Sequence, residues 1–332
     1  MLFDTRSIFM TLSLMLSLML AGASIAQAEG EWKELPDMPF EKWEAGTMVL
    51  DDKLYFLGGY LQGVKSSKIS NIFDPRDGSW ALIQGMPSAI THMNLVLDGR
   101  TFWFAGGYKD GYKGHCIREV WNYDVDKDRY TAGPLLPELR GGGGLALIGR
   151  NLHYIGGIHE DRLTDADDHW VLNLDDWAKG AATWEKRAPI PVARNQFSCV
   201  VLKGKIYCIG GQFGHDQGQI DQDRVDIYDP ETDSWSEGPS LPKAHSHAEA
   251  GTFVYKDKIY MVGGHTTKKG ESKKIDADVL SLEAGGNWKL VAELPMALSS
   301  PAAAIIDDKL YVGGGSPNWR DVTKKMWVMD LR

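Results

Sequence analysis

A pair of glycines recurs along this chain about every 50 residues, each time directly after a short apolar segment. The six occurrences are YFLGG (58–59), WFAGG (106–107), HYIGG (156–157), YCIGG (210–211), YMVGG (263–264) and YVGGG (314–315). A chain with such a period folds as an array of similar units, each of which buries its apolar surface against its neighbours. The period therefore restricts the possible folds more than any single motif does.

Each repeat carries the signals of four short strands. A hairpin signal such as DDKLYF or KGKIYC leads to the glycine pair, and an alternating segment such as NIFDP or VDIYDP follows it. An aromatic residue and then a proline end the repeat; the tryptophans at this position (Trp80, Trp184, Trp235, Trp288), together with Trp32, are expected to pack between units. Four strands in about 50 residues is the spacing of one β-propeller blade.

These motifs resemble the kelch repeat over essentially the whole chain after residue 28. The resemblance implies an all-β fold, namely a six-bladed kelch-type β-propeller with four antiparallel strands per blade. The last repeat lacks a fourth strand, whereas residues 29–39 (EGEWKELPDMP) carry the tryptophan and proline of a fourth strand without a preceding glycine pair. We therefore expect the N-terminal strand to close the last blade beside residues 326–331, which would leave no open sheet edge.

The N-terminus predicts export. An apolar segment follows Arg6 and ends in the small-residue triplet Ala26, Gln27 and Ala28, which is typical of a signal peptide cleaved after residue 28. A membrane anchor is the alternative. We expect residues 29–332 to form one propeller domain, a periplasmic or secreted monomer that is not inserted in the membrane after cleavage.

The charge of the chain argues against nucleic acid as a partner. The formal net charge is −9, and no stripe of Lys and Arg is present. Binding to a phosphate backbone depends on clustered cationic side chains.

Aligned repeats predict a ligand site at one mouth of the central channel. The position three residues after each proline is expected to begin the innermost strand there, and the residues next to each glycine pair are expected at the same mouth. The predicted ligand-binding residues are Arg140, Arg194, Trp43, Tyr60, Tyr108, Gln212 and His265. Aromatic rings stack on the C–H faces of a sugar and guanidinium groups bind a carboxylate, so we expect a small anionic carbohydrate.

The segment LPKAHSHAEAGT (241–252) adds chemical groups to this mouth. Its His245, His247 and Glu249, with His215 and Asp216, are the candidate catalytic residues. They could transfer protons on a bound sugar. Alternatively, His245 and His247 could bind a metal ion such as zinc or iron, with His215, Asp216 or His265 completing the ligand set. The sequence leaves the cofactor undetermined.

A second candidate metal site is the segment DRLTDADDH, with Asp161, Asp165 and His169 at the spacing D-x3-D-x3-H. It resembles the E-x3-D-x3-H iron motif of plant kelch specifier proteins, with Asp in place of the first Glu. A solvated acidic loop is the alternative interpretation.

Two families of kelch enzymes bear on the function. The chain is similar to the exported bacterial sialic-acid mutarotases in architecture and export signal, but shares no catalytic motif with them. Galactose oxidase shares the repeat, and its copper site needs a Tyr-Cys cross-link, for which Cys116 with Tyr112 and His115 is the nearest counterpart. Whether the chain is an enzyme stays open, and a protein-interaction platform using the same loops is the alternative to a carbohydrate site.

The cysteines suggest a cross-strand pair. If the turn at 203–204 closes a hairpin, Cys199 lies opposite Cys208, and the two can form a disulfide in an oxidising compartment. Two buried thiols are the alternative, and Cys116 is left unpaired in either case.

Overall fold

The computed structural model describes residues 30–332. The predicted signal peptide, residues 1–28, lies outside the described residues, and its cleavage stays a prediction. Within the described range the chain forms six four-stranded sheets, numbered here one to six in chain order of their innermost strands. The helical elements of this range are the α-helix Leu174–Ala178 and the 3-10 turn Glu249–Gly251, so the fold is nearly all-β, as predicted.

The strands of each sheet follow one another antiparallel from the centre outward. Sheet one contains Gly46–Leu50, Lys53–Leu57, Ser70–Asp74 and Ser79–Ile83. Sheet two contains Val96–Asp98, Thr101–Ala105, Val120–Asp124 and Arg129–Ala132. Sheet three contains Gly144–Ile148, Asn151–Ile155, His169–Asn173 and Trp184–Lys186.

The other three sheets repeat this arrangement. Sheet four contains Ser198–Leu202, Lys205–Ile209, Val225–Asp229 and Ser234–Glu237. Sheet five contains Thr252–Tyr255, Lys258–Val262, Asp278–Glu283 and Lys289–Glu293. Sheet six contains Ala302–Ile306, Lys309–Gly313, Met326–Asp330 and, from the N-terminus, Lys33–Leu35.

Two-residue strands lie in the connecting loops. They are Tyr60–Leu61, Lys65–Ser66, Ile90–Thr91, Tyr108–Lys109, His115–Cys116, Gln212–Phe213, Ile220–Asp221, His265–Thr266 and Lys274–Ile275. Four of these nine strands, those that begin at Tyr60, Tyr108, Gln212 and His265, directly follow a glycine pair.

The predicted hairpin turns connect the first two strands of several sheets. At Asp51-Asp52, Lys203-Gly204, Lys256-Asp257 and Asp307-Asp308, both turn residues have positive φ. Two consecutive residues in this conformation make a type I′ turn, whose twist matches that of the flanking strands. The turns therefore fix the register of these hairpins.

The two ends of the described chain meet in sheet six. Lys33–Leu35 pairs antiparallel with Met326–Asp330, and Lys33 lies opposite Val328. The N-terminal strand thus occupies the outer edge of sheet six, beside the C-terminal strand.

Apolar side chains join each sheet to the next. Six clusters in the described chain connect sheets one and two, two and three, and so on, and one of them packs Phe56 and Phe73 of sheet one against Tyr311 and Met326 of sheet six. Burial of these faces stabilises the fold at about 25 cal/mol per Å². No sheet in this arrangement buries both of its faces alone.

Tryptophans of the outer strands connect neighbouring sheets, as predicted. The indole N–H of Trp235 donates to the carbonyl of Ala188 at 2.8 Å, and that of Trp288 donates to Pro239 at 2.9 Å. Trp184 and Trp32 make the equivalent bonds to Pro134 and Glu293. Each bond satisfies the polar end of an otherwise apolar side chain.

The six innermost strands surround an axial cavity of about 620 Å³. In residues 30–332 no helix has the length and apolar character needed to span a membrane.

Candidate functional site

Six equivalent residues surround one end of the axial cavity. They lie five positions after the proline of each repeat and all have φ between 44° and 57°; they are Glu44, His92, Gly142, Gln196, His247 and Ser300. Several are joined in sequence through the backbone; for example, the N–H of Ser300 donates to the carbonyl of His247 at 2.8 Å. Every repeat adopts this left-handed conformation, so the conformation is a feature of the repeat itself. The side chains at the six positions differ, and they determine which chemical groups surround the opening.

A pocket of about 720 Å³, here called the mouth pocket, opens above three of these residues, Glu44, His92 and His247. Its remaining walls come from loops of several sheets. Aromatic rings (Trp43, Tyr60, Tyr112, Trp319) and cationic side chains (Lys113, Arg162, Lys268, Lys273) contribute to the lining. Two carboxylates, Asp216 and Glu271, and the buried Glu44 are the acidic groups in it. The pocket thus has a cationic excess in a chain whose net charge is −9.

Three histidines meet at the floor of the mouth pocket. One ring nitrogen of each of His92, His215 and His247 lies within 4.8 Å of one ring nitrogen of the other two. Burial lowers the pKa of His92 and His247 well below the usual value and that of His215 to about 3, and Arg162 adds to the effect for His92 and His215. The three rings are therefore neutral at physiological pH.

Glu44 is the carboxyl group closest to these rings. Its Oε2 lies 2.5 Å from Nε2 of His92, and its Oε1 lies 3.9 Å from Nε2 of His247. Burial raises the pKa of Glu44 well above its usual value, although Lys273 and Arg162 oppose the shift. The protonated carboxyl can donate to the neutral imidazole, so the pair can exchange a proton with a group in the pocket.

Arg162 fixes the wall on the His215 side. Its guanidinium lies 3.0 Å from Asp216 Oδ1 and 2.9 Å from Nδ1 of His215, and it sits 4.6 Å above the ring of Tyr108. These contacts connect the loops of three sheets. They hold His215 and Asp216 against the pocket.

The opposite wall is aromatic. The ring centroids of Trp43 and Tyr60 are 5.4 Å apart, and those of Trp43 and Trp319 are 6.2 Å apart. The Nζ atom of Lys273 lies 4.6 Å from the centre of the Trp319 ring. Trp43 and Tyr60 are buried, so Trp319, with a cation near its ring, is the most accessible ring of this wall.

Five of the sequence-predicted residues line the mouth pocket. They are Trp43, Tyr60, His215, Asp216 and His247. They come from repeats far apart in sequence, and the loops bring them together as the repeat alignment suggests.

Arg140 and Arg194, in contrast, are not in the mouth pocket, which corrects the prediction. Arg194 is fully buried, pairs with Asp226 at 2.7 Å and donates to the carbonyls of Gly210 and Cys208. Arg140 is buried beside Asp168 and lies over the ring of Trp170. Both guanidinium groups are occupied by partners within the protein, so neither faces a ligand.

His245 requires the same correction. Its ring is fully buried, with Nδ1 3.4 Å from Asp276 and Nε2 3.7 Å from Asp278. The position three residues after the proline is buried in all six repeats (Lys42, Ile90, Arg140, Arg194, His245, Leu298). It precedes the innermost strand and lies between sheets, whereas the position two residues further along reaches the cavity mouth.

Three other predicted residues support the pocket from behind. Tyr108 packs against His92 with ring centroids 4.9 Å apart, and His265 packs against Trp319 at 4.2 Å. Gln212 is buried and donates to Asn195 at 3.1 Å. Their side chains are not part of the pocket lining.

Glu249 lines the axial cavity instead of the mouth pocket. It begins the short 3-10 turn Glu249–Gly251, and burial raises its pKa to about 8. Its carboxyl is therefore largely protonated at neutral pH.

The segment Asp161 to His169 does not form a ligand cluster. Asp161 accepts hydrogen bonds from the backbone of Leu163 and Thr164, and Asp165 accepts one from the Asn195 side chain. His169 is buried in sheet three, with Nε2 2.9 Å from Nδ1 of His153. The three side chains face different surroundings because the loop turns between them, so the predicted iron motif is not assembled.

The predicted register of the cysteines is confirmed. Cys199 lies directly opposite Cys208 in the first hairpin of sheet four, with the two Sγ atoms 2.6 Å apart and not bonded. The disulfide itself stays a prediction. Cys116 is buried, and its Sγ lies 3.5 Å from the carbonyl oxygen of His159.

Sequence reasoning missed Glu44, His92, Arg162, Lys273 and Trp319. The first two occupy the same repeat position as His247, so an alignment read two residues further along each repeat would have found them. The other three lie in irregular loops of different length, for which the repeat gives no register.

Comparison with known proteins identifies related chains. The Kelch motif family profile matches residues 193–242. A kelch repeat-containing protein of Arabidopsis thaliana is 26% identical over 93% of this chain and 78% of its own length. Kelch-like protein 26 of Danio rerio is 28% identical over 71% of this chain, which spans 38% of that relative.

The fold has a close counterpart among solved structures. The structure of YjhT matches with a TM-score of 0.73 over 89% of this chain and 97% of that chain. The sequence identity is 13%, so this likeness concerns the fold alone.

Proposed function

Because the chain belongs to the kelch-repeat β-propeller family, whose members are generally binding scaffolds, we propose that it is an exported protein that binds a small anionic carbohydrate in the mouth pocket. The single observation that carries this proposal is the composition of that pocket. Cationic Lys273 and Arg162 lie with the aromatic rings of Trp43, Tyr60 and Trp319 around one concave space of about 720 Å³.

The aromatic wall supports a sugar as the ligand. Trp319 is partly exposed at the side of the pocket and packs on the buried Trp43, and the C–H faces of a pyranose pack on aromatic rings. Tyr60 adds a third ring beside Trp43. A volume of about 720 Å³ accommodates one or two sugar units, because small-ligand pockets measure roughly 300–1,000 Å³.

The cationic side chains support a negative charge on that sugar. Asp216 already pairs with Arg162, whereas Lys273 lies over Trp319 at the open side of the pocket. A carboxylate next to Lys273 would gain a charge-assisted contact without removing an existing ion pair. This argument favours uronic or sialic acids over neutral sugars.

The test is calorimetric titration of the mature protein with glucuronate and a sialic acid, with glucose as the neutral comparison. Lys273→Ala should weaken binding of the acidic sugar at least tenfold. Its neighbour Lys274 is exposed and outside the pocket, so Lys274→Ala is the matched control and should bind as the wild type does. Equal binding of glucose and glucuronate, or no binding of either acid at millimolar concentration, would overturn the proposal.

A protein partner is the second candidate, and exposed apolar residues near the same end favour it. Tyr112 at the pocket rim is 68% exposed and Leu163, next to Arg162, is 49% exposed. Large exposed apolar side chains on a loop surface are common at contact sites. A partner protein whose binding is lost in Tyr112→Ala and Leu163→Ser, but not in Lys273→Ala, would identify this rim as the functional surface.

A further inference from the structure

We propose that His92, His215 and His247 bind a divalent transition-metal ion, for which zinc is the probe, at the floor of the mouth pocket. Among the described residues they are the group of potential ligands whose donor atoms all lie within 4.8 Å of one another. The site does not depend on the carbohydrate proposed above.

The fold places the three rings from separate segments. His92 and His247 occupy the same position of their repeats, with φ of 56° and 53°, and both side chains reach the cavity mouth. His215 comes from the loop after Gln212–Phe213 of the fourth repeat. Ring centroids of His92 and His247 are 5.9 Å apart, and those of His92 and His215 are 6.3 Å apart.

Hydrogen bonds occupy Nδ1 of each ring, so the three Nε2 atoms are the candidate metal ligands, and that of His92 would exchange its contact with the Glu44 carboxyl for the ion. Nδ1 of His92 lies 2.8 Å from Oγ1 of Thr91, and Nδ1 of His247 lies 2.9 Å from Oγ of Ser246. Nδ1 of His215 lies 2.8 Å from Asp216. Metal-binding histidines usually have such a partner on the second nitrogen, which orients the ring and fixes its tautomer.

The second nitrogen of His215 needs a partner. Nε2 of His215 is buried and has no hydrogen-bond partner in the protein. A buried polar atom without a partner costs free energy, and a metal ion bound to Nε2 of His215 would remove that cost. Four-coordinate zinc with nitrogen ligands at 2.0–2.1 Å requires nitrogen separations of roughly 3.3 Å, so the rings must move inward from their present separation when the ion binds.

Glu44 supplies an oxygen at the same place. Its two carboxyl oxygens lie 2.5 Å from Nε2 of His92 and 3.9 Å from Nε2 of His247. Three imidazoles with a carboxylate nearby suit zinc, iron, nickel or copper, whereas calcium and magnesium require mostly oxygen ligands. The set therefore identifies the class of metal by its donor atoms.

The experiment is a titration of chelator-treated full-length mature protein with Zn²⁺ by calorimetry, and with Co²⁺ by visible absorption, in the absence of sugar. We expect one ion per chain, tetrahedral cobalt bands, and no binding of Mg²⁺ at the same concentration. His92→Ala and His247→Ala should each weaken Zn²⁺ binding at least 100-fold. The matched control is His115→Ala, because His115 is an exposed histidine paired with Glu160 outside the mouth pocket, and this variant should bind as the wild type does.

A second readout covers the case in which a variant folds poorly. Zn²⁺ should raise the Tm of the wild type and of His115→Ala in a concentration-dependent manner, because it binds the folded state. It should not raise the Tm of His215→Ala. This variant removes the imidazole of a loop residue, so the strands of the sheets stay unchanged. The proposal is overturned if the wild type takes up no ion, or if all three pocket variants bind Zn²⁺ as tightly as His115→Ala.

Because metal uptake is measured without sugar, its failure is distinct from a failure of carbohydrate binding. A protein that binds Zn²⁺ but no acidic sugar would retain the metal site and lose the function proposed above. Loss of sugar binding in Lys273→Ala with unchanged Zn²⁺ affinity would support both.

Discussion

The backbone N–H of Gly315 donates a 2.6 Å hydrogen bond to the carbonyl of Lys42, which connects the last repeat to the first. The second glycine of every pair makes the same bond to the next repeat: Gly59 to Ile90, Gly107 to Arg140, Gly157 to Arg194, Gly211 to His245 and Gly264 to Leu298. The glycine pairs thus mark the places where the backbones of neighbouring sheets come closest.

We predict that Gly314→Ala destabilises the protein far more than Gly78→Ala. Both glycines have positive φ, 69° and 74°, so both alanines strain the backbone by about 1–2 kcal/mol. A Cβ atom at Gly314 would lie 2.3 Å from the carbonyl oxygen of Lys42, whereas one at Gly78 would meet no atom within 4 Å. Urea unfolding should show an additional loss of about 2 kcal/mol or more for Gly314→Ala. Equal losses of unfolding free energy in the two variants would contradict the prediction, because they would mean that the neighbouring sheets can move apart at Gly314 without cost.

Removal of the buried guanidinium of Arg194 should affect stability and not ligand binding. Arg194→Ala leaves Asp226 without its fully buried partner, although Arg224 still contacts it, and the expected loss is about 3 kcal/mol in the free energy of unfolding. Arg76→Ala removes an exposed ion pair with Asp74 and should leave stability nearly unchanged. A folded Arg194→Ala protein that has lost sugar binding would restore the role predicted from sequence.

The pair of His153 and His169 should make the protein less stable in acid. Burial lowers the pKa of His153 to about 3 and that of His169 to about 4, whereas both bind a proton near pH 6.5 in the unfolded chain. The unfolded state therefore binds more protons between these values, and the free energy of unfolding falls as the pH drops from 6.5 toward 4.

His153→Phe should reduce this pH dependence. A pKa difference of one corresponds to about 1.4 kcal/mol, and pH 4 lies about 2.5 below the pKa of the unfolded-state histidine, so at pH 4 the variant should retain about 3 kcal/mol more of its neutral-pH stability than the wild type does. His115→Phe, which alters an exposed histidine, should follow the wild-type curve. Parallel curves for all three proteins would exclude the buried pair as the source.

We predict that mild oxidation joins Cys199 and Cys208. Their Sγ atoms lie 2.6 Å apart on paired strands, so closing the bond requires little movement of the backbone. Thiol counting on unfolded, oxidised, unreduced protein should find one free sulfhydryl, that of Cys116. Cys199→Ser should show two under the same conditions, and three free thiols in the oxidised wild type would contradict the prediction.

The strands were predictable because the repeat restates the same local signals. Type I′ turns such as that at Lys203-Gly204 recur with the period, and so do segments of alternating apolar residues. A strand that is ambiguous in one repeat can therefore be assigned by comparison with the next repeat. The outer-strand tryptophans follow the same logic, because Trp235 and Trp288 make equivalent bonds one repeat apart.

The site was predictable only in part. The repeat alignment predicted that loops from distant segments meet at one end of the channel, and His247 does line the mouth pocket. It could not distinguish this residue from His245 two positions earlier, which is fully buried. Both lie in one irregular segment where the chain turns through a left-handed residue at His247. The direction of a side chain in such a segment depends on backbone angles that neither strand nor helix periodicity specifies.

The sequence by itself determined the repeat, its four strands, the hairpin registers and the pairing of the two termini, because each of these depends on local patterns or on counting. Only the tertiary structure decided which polar side chains are partners for one another and which face the pocket. Arg194 and Arg162 have the same chemistry, yet the first is enclosed by Asp226 between sheets and the second lines the mouth pocket. That difference arises from packing between segments distant in sequence, which no local pattern encodes.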